Sequence, residues 1–214
     1  MNHGTTGYIM TDDAKPQLTR IQQKNREIIL EGALTVFSAS GFRGATIDQI
    51  AEASGLSKPN VLYYFGSKDE IYQTLLTALL DTWLAPMLHI DSEGDPLDEV
   101  LRYVAAKLQL SRDYPRESRL FAYEVLQGAP HLGDILGGRL RELVDSTVVV
   151  LEGWMEQGRL KRVEPHHLIF SIWALTQHYA DFEAQIKAVL GPGHDPYAEA
   201  QVYLDNLFRQ MLAP

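Results

Sequence analysis

The stretch TIDQIAEASGLSKPNVLYYFGSK, residues 46–68, decides the reading of this chain. Thr46 stands before an apolar-periodic run, Ile47, Ile50 and Ala51, and Gln49 follows it by three residues. That order is an N-cap with a capping box, in which two side chains satisfy the orphan amides of a helix start. Gly55 breaks the run, and Ser57 opens a second short helix with Pro59 in its first turn. Two short helices joined by a glycine-bearing turn match a helix-turn-helix, whose second helix enters the DNA major groove. Ile47, Ile50, Ala51 and Leu56 are placed to hold the pair together, with Ala51 small enough for a close crossing.

The chemistry of the remaining positions fits a duplex. Ser57, Lys58 and Asn60 project from the start of the second helix. Lys58 can meet guanine acceptors or phosphate, and Asn60 offers a donor and an acceptor to a base edge. Thr46, Tyr63 and Tyr64 bring hydroxyls suited to phosphate oxygens. Lys68 falls at the N-terminus of the next helix, where free amides and the positive helix end favour an anion. The expected DNA contacts are therefore Thr46, Ser57, Lys58, Asn60, Tyr63, Tyr64 and Lys68.

Outward from this stretch every signal is helical. Ile29, Ala33, Val36 and Phe37 share one face of a helix from about Lys24 to Ser40-Gly41. Ser67 caps a long fourth helix carrying Ile71, Leu75, Leu79 and Trp83, which Pro86 should kink or end. A fifth runs from about Leu97 to Ser111, and a sixth from Pro115 to Gly128-Ala129-Pro130. A seventh carries Leu136 through Trp154, an eighth spans Pro165 to about Leu190, and a ninth begins near Pro196. No strand-like alternation of useful length appears. The expected fold is all-α: a three-helix DNA-binding head at 19–66 and a six-helix domain at 67–214. Residues 1–18, polar and rich in Gly and Thr, read as a flexible arm.

Charge divides along the chain. The net charge is −9, yet residues 14–68 hold seven Lys/Arg against four Asp/Glu, so the acidic excess lies C-terminal to the head. A mildly basic module can hold DNA if its charges converge on one face. The chain has no cysteine, which excludes disulfides and thiolate metal sites and suits a reducing cytosol. No signal-peptide pattern and no membrane-length apolar run is present, so the expected location is cytoplasmic.

The order of residues across this region resembles the TetR family of bacterial repressors. Gly41-Phe42, Thr46-Ile47, Ile50-Ala51, Gly55-Leu56-Ser57, Leu62-Tyr63-Tyr64-Phe65, Ser67-Lys68 and Ile71-Tyr72 carry the resemblance. It implies a homodimer built through the last two helices, an operator DNA partner and a small-molecule effector, with no cofactor. Further runs are similar to the pyrimidine-utilisation repressors within that family: Trp83-Leu84-Ala85-Pro86, Ser111-Arg112-Asp113-Tyr114-Pro115, and Thr176-Gln177-His178-Tyr179-Ala180-Asp181-Phe182. These imply release from DNA on binding uracil or thymine, and control of pyrimidine breakdown genes.

Helix periodicity is compatible with such an effector. Trp173, Gln177 and Asp181 fall at i, i+4 and i+8, on one stripe. Tryptophan can stack on a flat ring, glutamine can give and accept a hydrogen bond, and ionised aspartate can take a ring N–H. Trp83, Tyr123 and Glu124 are further candidates. Each of the six has a plain structural reading as core or surface, and an apolar, acyl or cationic effector would use the same aromatics. The rival outside regulation is a helical metal-dependent hydrolase using His166, His167, His178 and Asp181. Adjacent histidines point about 100° apart on a helix and chelate poorly. No His-Glu-x-x-His or Gly-x-Ser-x-Gly motif appears, so neither metal nor catalysis is expected.

Overall fold

A computed structural model describes residues 19–214, and the expected N-terminal arm lies outside them. The described residues form helices joined by turns and loops, without a strand. α1 (Arg20–Gly44) starts on a capping box between Thr19 and Gln22. Gly41, at φ 66° and ψ 173°, interrupts it near its end, a conformation that only glycine adopts without strain. α2 (Ile47–Ser54) carries the Thr46–Gln49 capping box and stops at Gly55 in the left-handed region. α3 (Lys58–Tyr64) is capped by Ser57, and α4 (Lys68–Leu88) by Ser67. Pro86 sits in the last turn of α4, close to its end.

α1 and α2 cross tightly. A Cβ on Gly32 would lie 2.9 Å from the backbone nitrogen of Ser54, so glycine is what lets the two backbones approach. Ile29, Ala33, Phe37, Ile50, Ala51, Val61 and Phe65 close the core between the three helices. That core continues into α4 through Ile71, Tyr72, Leu75 and Leu76.

α5 (Pro96–Asp113) is the central rod of the C-terminal part. α9 (Pro165–Asp181) and α11 (Tyr197–Leu212) pack against it, as does α4. α6 (Pro115–Leu126) bridges the two parts of the chain, touching α1, α4, α5 and α9. The expected seventh helix is α7 (Gly133–Ile135), a π-helical turn (Leu136–Leu140) and α8 (Arg141–Glu156) in continuous succession.

The expected eighth helix is broken. α9 ends at Asp181, and a separate α10 (Glu183–Leu190) follows the non-helical Phe182. The cause is tertiary. Arg119 of α6 donates to the Ala180 carbonyl at 3.1 Å, and Ser118 donates to the Asp181 side chain at 2.6 Å. Both bonds draw the C-terminal turn of α9 onto α6.

Candidate functional site

The head presents α3 to solvent. Ser57, Lys58, Asn60 and Tyr63 are exposed, as is Thr46 at the start of α2. Lys58 reaches Asp48 of α2 at 2.9 Å, an exposed pair that a phosphate can displace. The Thr46 hydroxyl is held by Gln49, accepting from its amide and donating to its side-chain oxygen.

Two of the expected DNA contacts have inward partners. The half-buried Tyr64 accepts at its hydroxyl from Asn25 at 2.8 Å and at its carbonyl from Arg26 at 2.8 Å. It therefore ties α3 to α1, with its hydroxyl hydrogen left to donate. Lys68 donates to the carbonyl oxygens of Phe42 at 2.8 Å and Ala45 at 2.9 Å, and lies 4.4 Å from the Phe42 ring. Two of its three ammonium N–H groups serve the α1–α2 joint. Asp69 and Glu70 occupy the first turn of α4, and Glu70 accepts from the Gly66 amide. At the expected phosphate site, two of the three N–H groups of the Lys68 ammonium thus go to the protein's own carbonyls. Arg43, exposed in the last turn of α1, is a basic group the sequence reading passed over. Its nearness to the Thr46 cap was the available signal.

The six effector candidates separate into two places. Tyr123 is 52% exposed on α6. Glu124 is buried, but against the head: Tyr72 donates to it at 3.3 Å and the His131 amide at 2.7 Å. Neither lines an interior site with Trp173. The other four gather around α5. Trp173 donates its indole N–H to Tyr103 at 2.7 Å. Asp181 accepts from Ser118, and Gln177 lies half-buried on the same stripe between them. Trp83 enters from α4, 4% exposed, with its Nε1 buried and without a hydrogen-bond partner among the described residues.

Lys107 of α5 completes this cluster and was missed by sequence reading. It is 3% exposed, 3.4 Å from the Trp83 carbonyl and 5.7 Å from the Trp83 ring centroid. A signal existed: Lys107 shares a helix face with Val100, Val104 and Ser111, all buried. Burial pushes its amine down to about 7, with the Asp181 charge opposing the shift. Burial raises the Asp181 carboxyl, opposed first by the Ser118 hydrogen bond and then by Arg119, His178 and Lys107. Burial also raises the Tyr103 phenol, which stays protonated. An apolar groove of about 560 Å³ runs between α4 and α5, lined by Thr82, Ala85, Pro86, Tyr103 and Ala106. Tyr103 is where groove and cluster meet.

Comparison with known proteins agrees with this architecture. Residues 29–75 match the family model of bacterial regulatory proteins, tetR family, and residues 76–214 match that of the YcdC-like protein C-terminal region. The chain is 47% identical over 187 residues to the HTH-type transcriptional regulator RutR of Escherichia coli O157:H7, covering 87% of each. The chain belongs to the TetR family. Among solved structures, KstR2 of Mycobacterium tuberculosis, a ketosteroid transcriptional regulator, superposes with a TM-score of 0.68 at 20% identity. That match covers 92% of this chain and 97% of KstR2. AibR, solved with isovaleryl coenzyme A and operator DNA, superposes with a TM-score of 0.64 at 16% identity. It covers 89% of this chain and 99% of AibR.

As a TetR-family member the protein is a helix-turn-helix transcriptional regulator rather than an enzyme. The four residues of the hydrolase alternative hold other positions. His166 pairs with Glu164, His167 sits edge-on to Phe170, His178 stacks on Phe182 and Asp181 is held by Ser118. Among the described residues no group of three or more metal-ligating side chains assembles, and no helix is long and apolar enough to cross a membrane.

Proposed function

We propose that this TetR-family protein is a cytoplasmic repressor that binds operator DNA as a homodimer and is released by uracil or thymine, without a cofactor. The observation that carries the effector class is the interior cluster. Two buried donors, Lys107 and a Trp83 N–H without a partner among the described residues, stand with one half-buried carboxylate, Asp181, and the aromatic face of Trp173. A wholly apolar ligand would leave those groups unmatched, which is costly in a buried site. A flat ring with carbonyl oxygens and a ring N–H matches them. The resemblance of the effector-domain runs to pyrimidine-utilisation repressors supports the same ligand.

The DNA contacts proposed are Ser57, Lys58, Asn60 and Tyr63, with Thr46 and the Tyr64 hydroxyl at the margin. Two heads must sit roughly 34–36 Å apart to reach successive major grooves. An effector that prefers another spacing lowers DNA affinity, and by linkage DNA lowers effector affinity by the same factor. The dimer is assigned to the last helices because α9, α10, α11 and the Phe182 junction expose Phe170, Phe182, Val189, Val202 and Tyr203.

The test is calorimetry of uracil and thymine, with uridine and cytosine as controls, repeated with an operator selected from genomic fragments. Tight binding of one uracil or thymine per subunit, weakened by operator, is expected. Equal affinity with and without operator would remove the coupling. Absence of binding from a folded, DNA-binding dimer would remove the effector.

A further inference from the structure

Two buried donors in the interior cluster have more hydrogen-bonding capacity than the protein meets. A lysine ammonium carries three N–H groups, yet among the described residues the only acceptor within reach of Lys107 is the Trp83 carbonyl at 3.4 Å. Trp83 itself has a buried indole N–H with no partner among the described residues. Asp181 lies close enough for its charge to act on Lys107, but no ion pair joins them and its carboxylate is taken by Ser118. A position that only filled the core between α4, α5 and α9 would be served better by leucine or methionine, because an unmet buried amine is destabilising. The unmet donors come from different helices, Trp83 from α4 and Lys107 from α5, beside the stripe of α9 that carries Trp173, Gln177 and Asp181.

We infer that Lys107 and Trp83 are the specificity donors of the effector site, Lys107 binding a ring carbonyl oxygen as the ammonium and Trp83 a second acceptor atom. This rests on the effector reading of the interior cluster given above. The chemistry selected is a planar ring with exocyclic carbonyls flanking an N–H, the N–H facing Asp181. A ring with an amino group in place of one carbonyl presents donor to donor and is rejected.

Effector binding through Lys107 carries a proton signature that packing alone would not produce. Burial leaves the free protein's Lys107 with a pKa of about 7, so above that pH the amine is mostly neutral. A carbonyl oxygen set against it favours the ammonium, so effector binding takes up a proton. The other titratable groups around it are Asp181 of α9, Tyr103 of its own helix, and Arg119 of α6 and His178 of α9, which act on Asp181. Burial keeps the Tyr103 phenol protonated across pH 7–9. Asp181 and His178 are separated by substitution.

The experiment is uracil calorimetry on the full-length protein at pH 7–9, in buffer pairs of different ionisation enthalpy. Wild type, Lys107→Met, Trp83→Phe, Asp181→Asn and His178→Gln are compared. Wild type is expected to take up close to one proton per uracil at pH 8.5, with affinity falling toward tenfold per pH unit above pH 8. Lys107→Met should lose the uptake and bind roughly ten- to hundredfold more weakly. Trp83→Phe should weaken binding and keep the uptake. Asp181→Asn and His178→Gln should also keep it wherever they bind. Uracil binding without proton uptake in wild type, or with equal uptake in Lys107→Met, overturns the inference and leaves the effector standing. If wild type binds neither uracil nor thymine, the effector reading fails and this inference fails with it. Should Lys107→Met not fold, the wild-type, Asp181→Asn and His178→Gln pH series decide alone.

Discussion

Tyr72 of α4 donates its phenolic hydrogen to the buried carboxylate of Glu124 on α6, 52 residues away, at 3.3 Å. The same carboxylate accepts from the His131 amide at 2.7 Å, and the His131 ring packs on both Tyr72 and Phe42. Burial and the neighbouring Glu124 charge hold the Tyr72 phenol well above its usual range, so it remains a donor. One carboxylate thus joins the first turns of α4, the end of α6 and the ring at the end of α1. We predict that Glu124→Ala, which leaves the buried Tyr72 hydroxyl and the half-buried His131 amide unpaired, destabilises the fold by about 2–5 kcal/mol. Glu124→Gln keeps an acceptor and should lose less than half of that. Thermal denaturation of both variants checks the order, and equal midpoints would refute the shared-acceptor role.

Lys58 and Lys68 are both lysines of the DNA-binding region, and the structure separates their roles. Lys58 pairs only with the exposed Asp48, whereas Lys68 is bonded to two backbone carbonyls. Lys58→Ala should leave stability within about 0.5 kcal/mol of wild type and lower the salt slope of operator binding by about one. Lys68→Met should do the reverse, lowering the unfolding midpoint by several degrees while the salt slope stays. Anisotropy titrations from low to high salt, beside thermal melts, read both quantities. A salt slope reduced equally in the two variants would return Lys68 to the DNA surface.

What could be read from sequence and what could not follows the range of the interactions. The caps at Thr46, Ser57 and Ser67 and the turn at Gly55 depend on residues within a few positions, so the string of side chains displays them. Ala45 beneath Lys68, Asn25 opposite Tyr64 and Tyr72 opposite Glu124 lie 23 to 52 residues away, and a linear pattern carries no mark of them. The break at Phe182 is the same case, since Arg119 and Ser118 cause it from another helix. Trp173, Gln177 and Asp181 were legible as a stripe because a helix repeats every 3.6 residues. Tyr123 and Glu124 are neighbours in sequence but point to solvent and to the head, so adjacency misled. Lys107 was visible as a lone charge on an apolar face, and only burial on all sides distinguishes it from a lysine with its head in water.

The buried amine of Lys107 also makes stability depend on pH. Its pKa is about 7 folded and 10.5 unfolded, so between those values the unfolded chain binds more protons. Stability therefore rises with pH from about 7 toward 10 on account of this residue. Above pH 10 the raised phenols of Tyr72 and Tyr103 act oppositely, because there the folded state holds more protons. In the effector-free protein, Lys107→Met should be more stable than wild type at pH 6–7, and the difference should narrow as pH approaches 10. Chemical denaturation at pH 6, 7, 8 and 9 measures this. A constant difference across the series would mean that Lys107 does not titrate in this range.

α6 is tied at both ends of one turn to different parts of the molecule. Arg116 bonds Glu31 at 2.8 Å and Thr35 at 3.1 Å, both on α1, and Ser118 two residues later bonds Asp181 of α9. A ligand that draws the Asp181 carboxylate toward a ring N–H must compete with Ser118, and any shift of that turn moves Arg116 against the head. The Arg116–Glu31 pair is largely solvated, so Arg116→Ala should change stability by less than about 1 kcal/mol. Its effect should appear in coupling. The ratio of operator affinities without and with saturating uracil is expected to shrink by roughly two- to thirtyfold, the range that mutations between coupled sites produce. Uracil affinity in the absence of DNA should stay close to wild type, because Arg116 is not part of the interior cluster. Unchanged coupling in Arg116→Ala, with both single-ligand affinities intact, would place the route between effector and head elsewhere, through the Tyr72–Glu124 contact of α4.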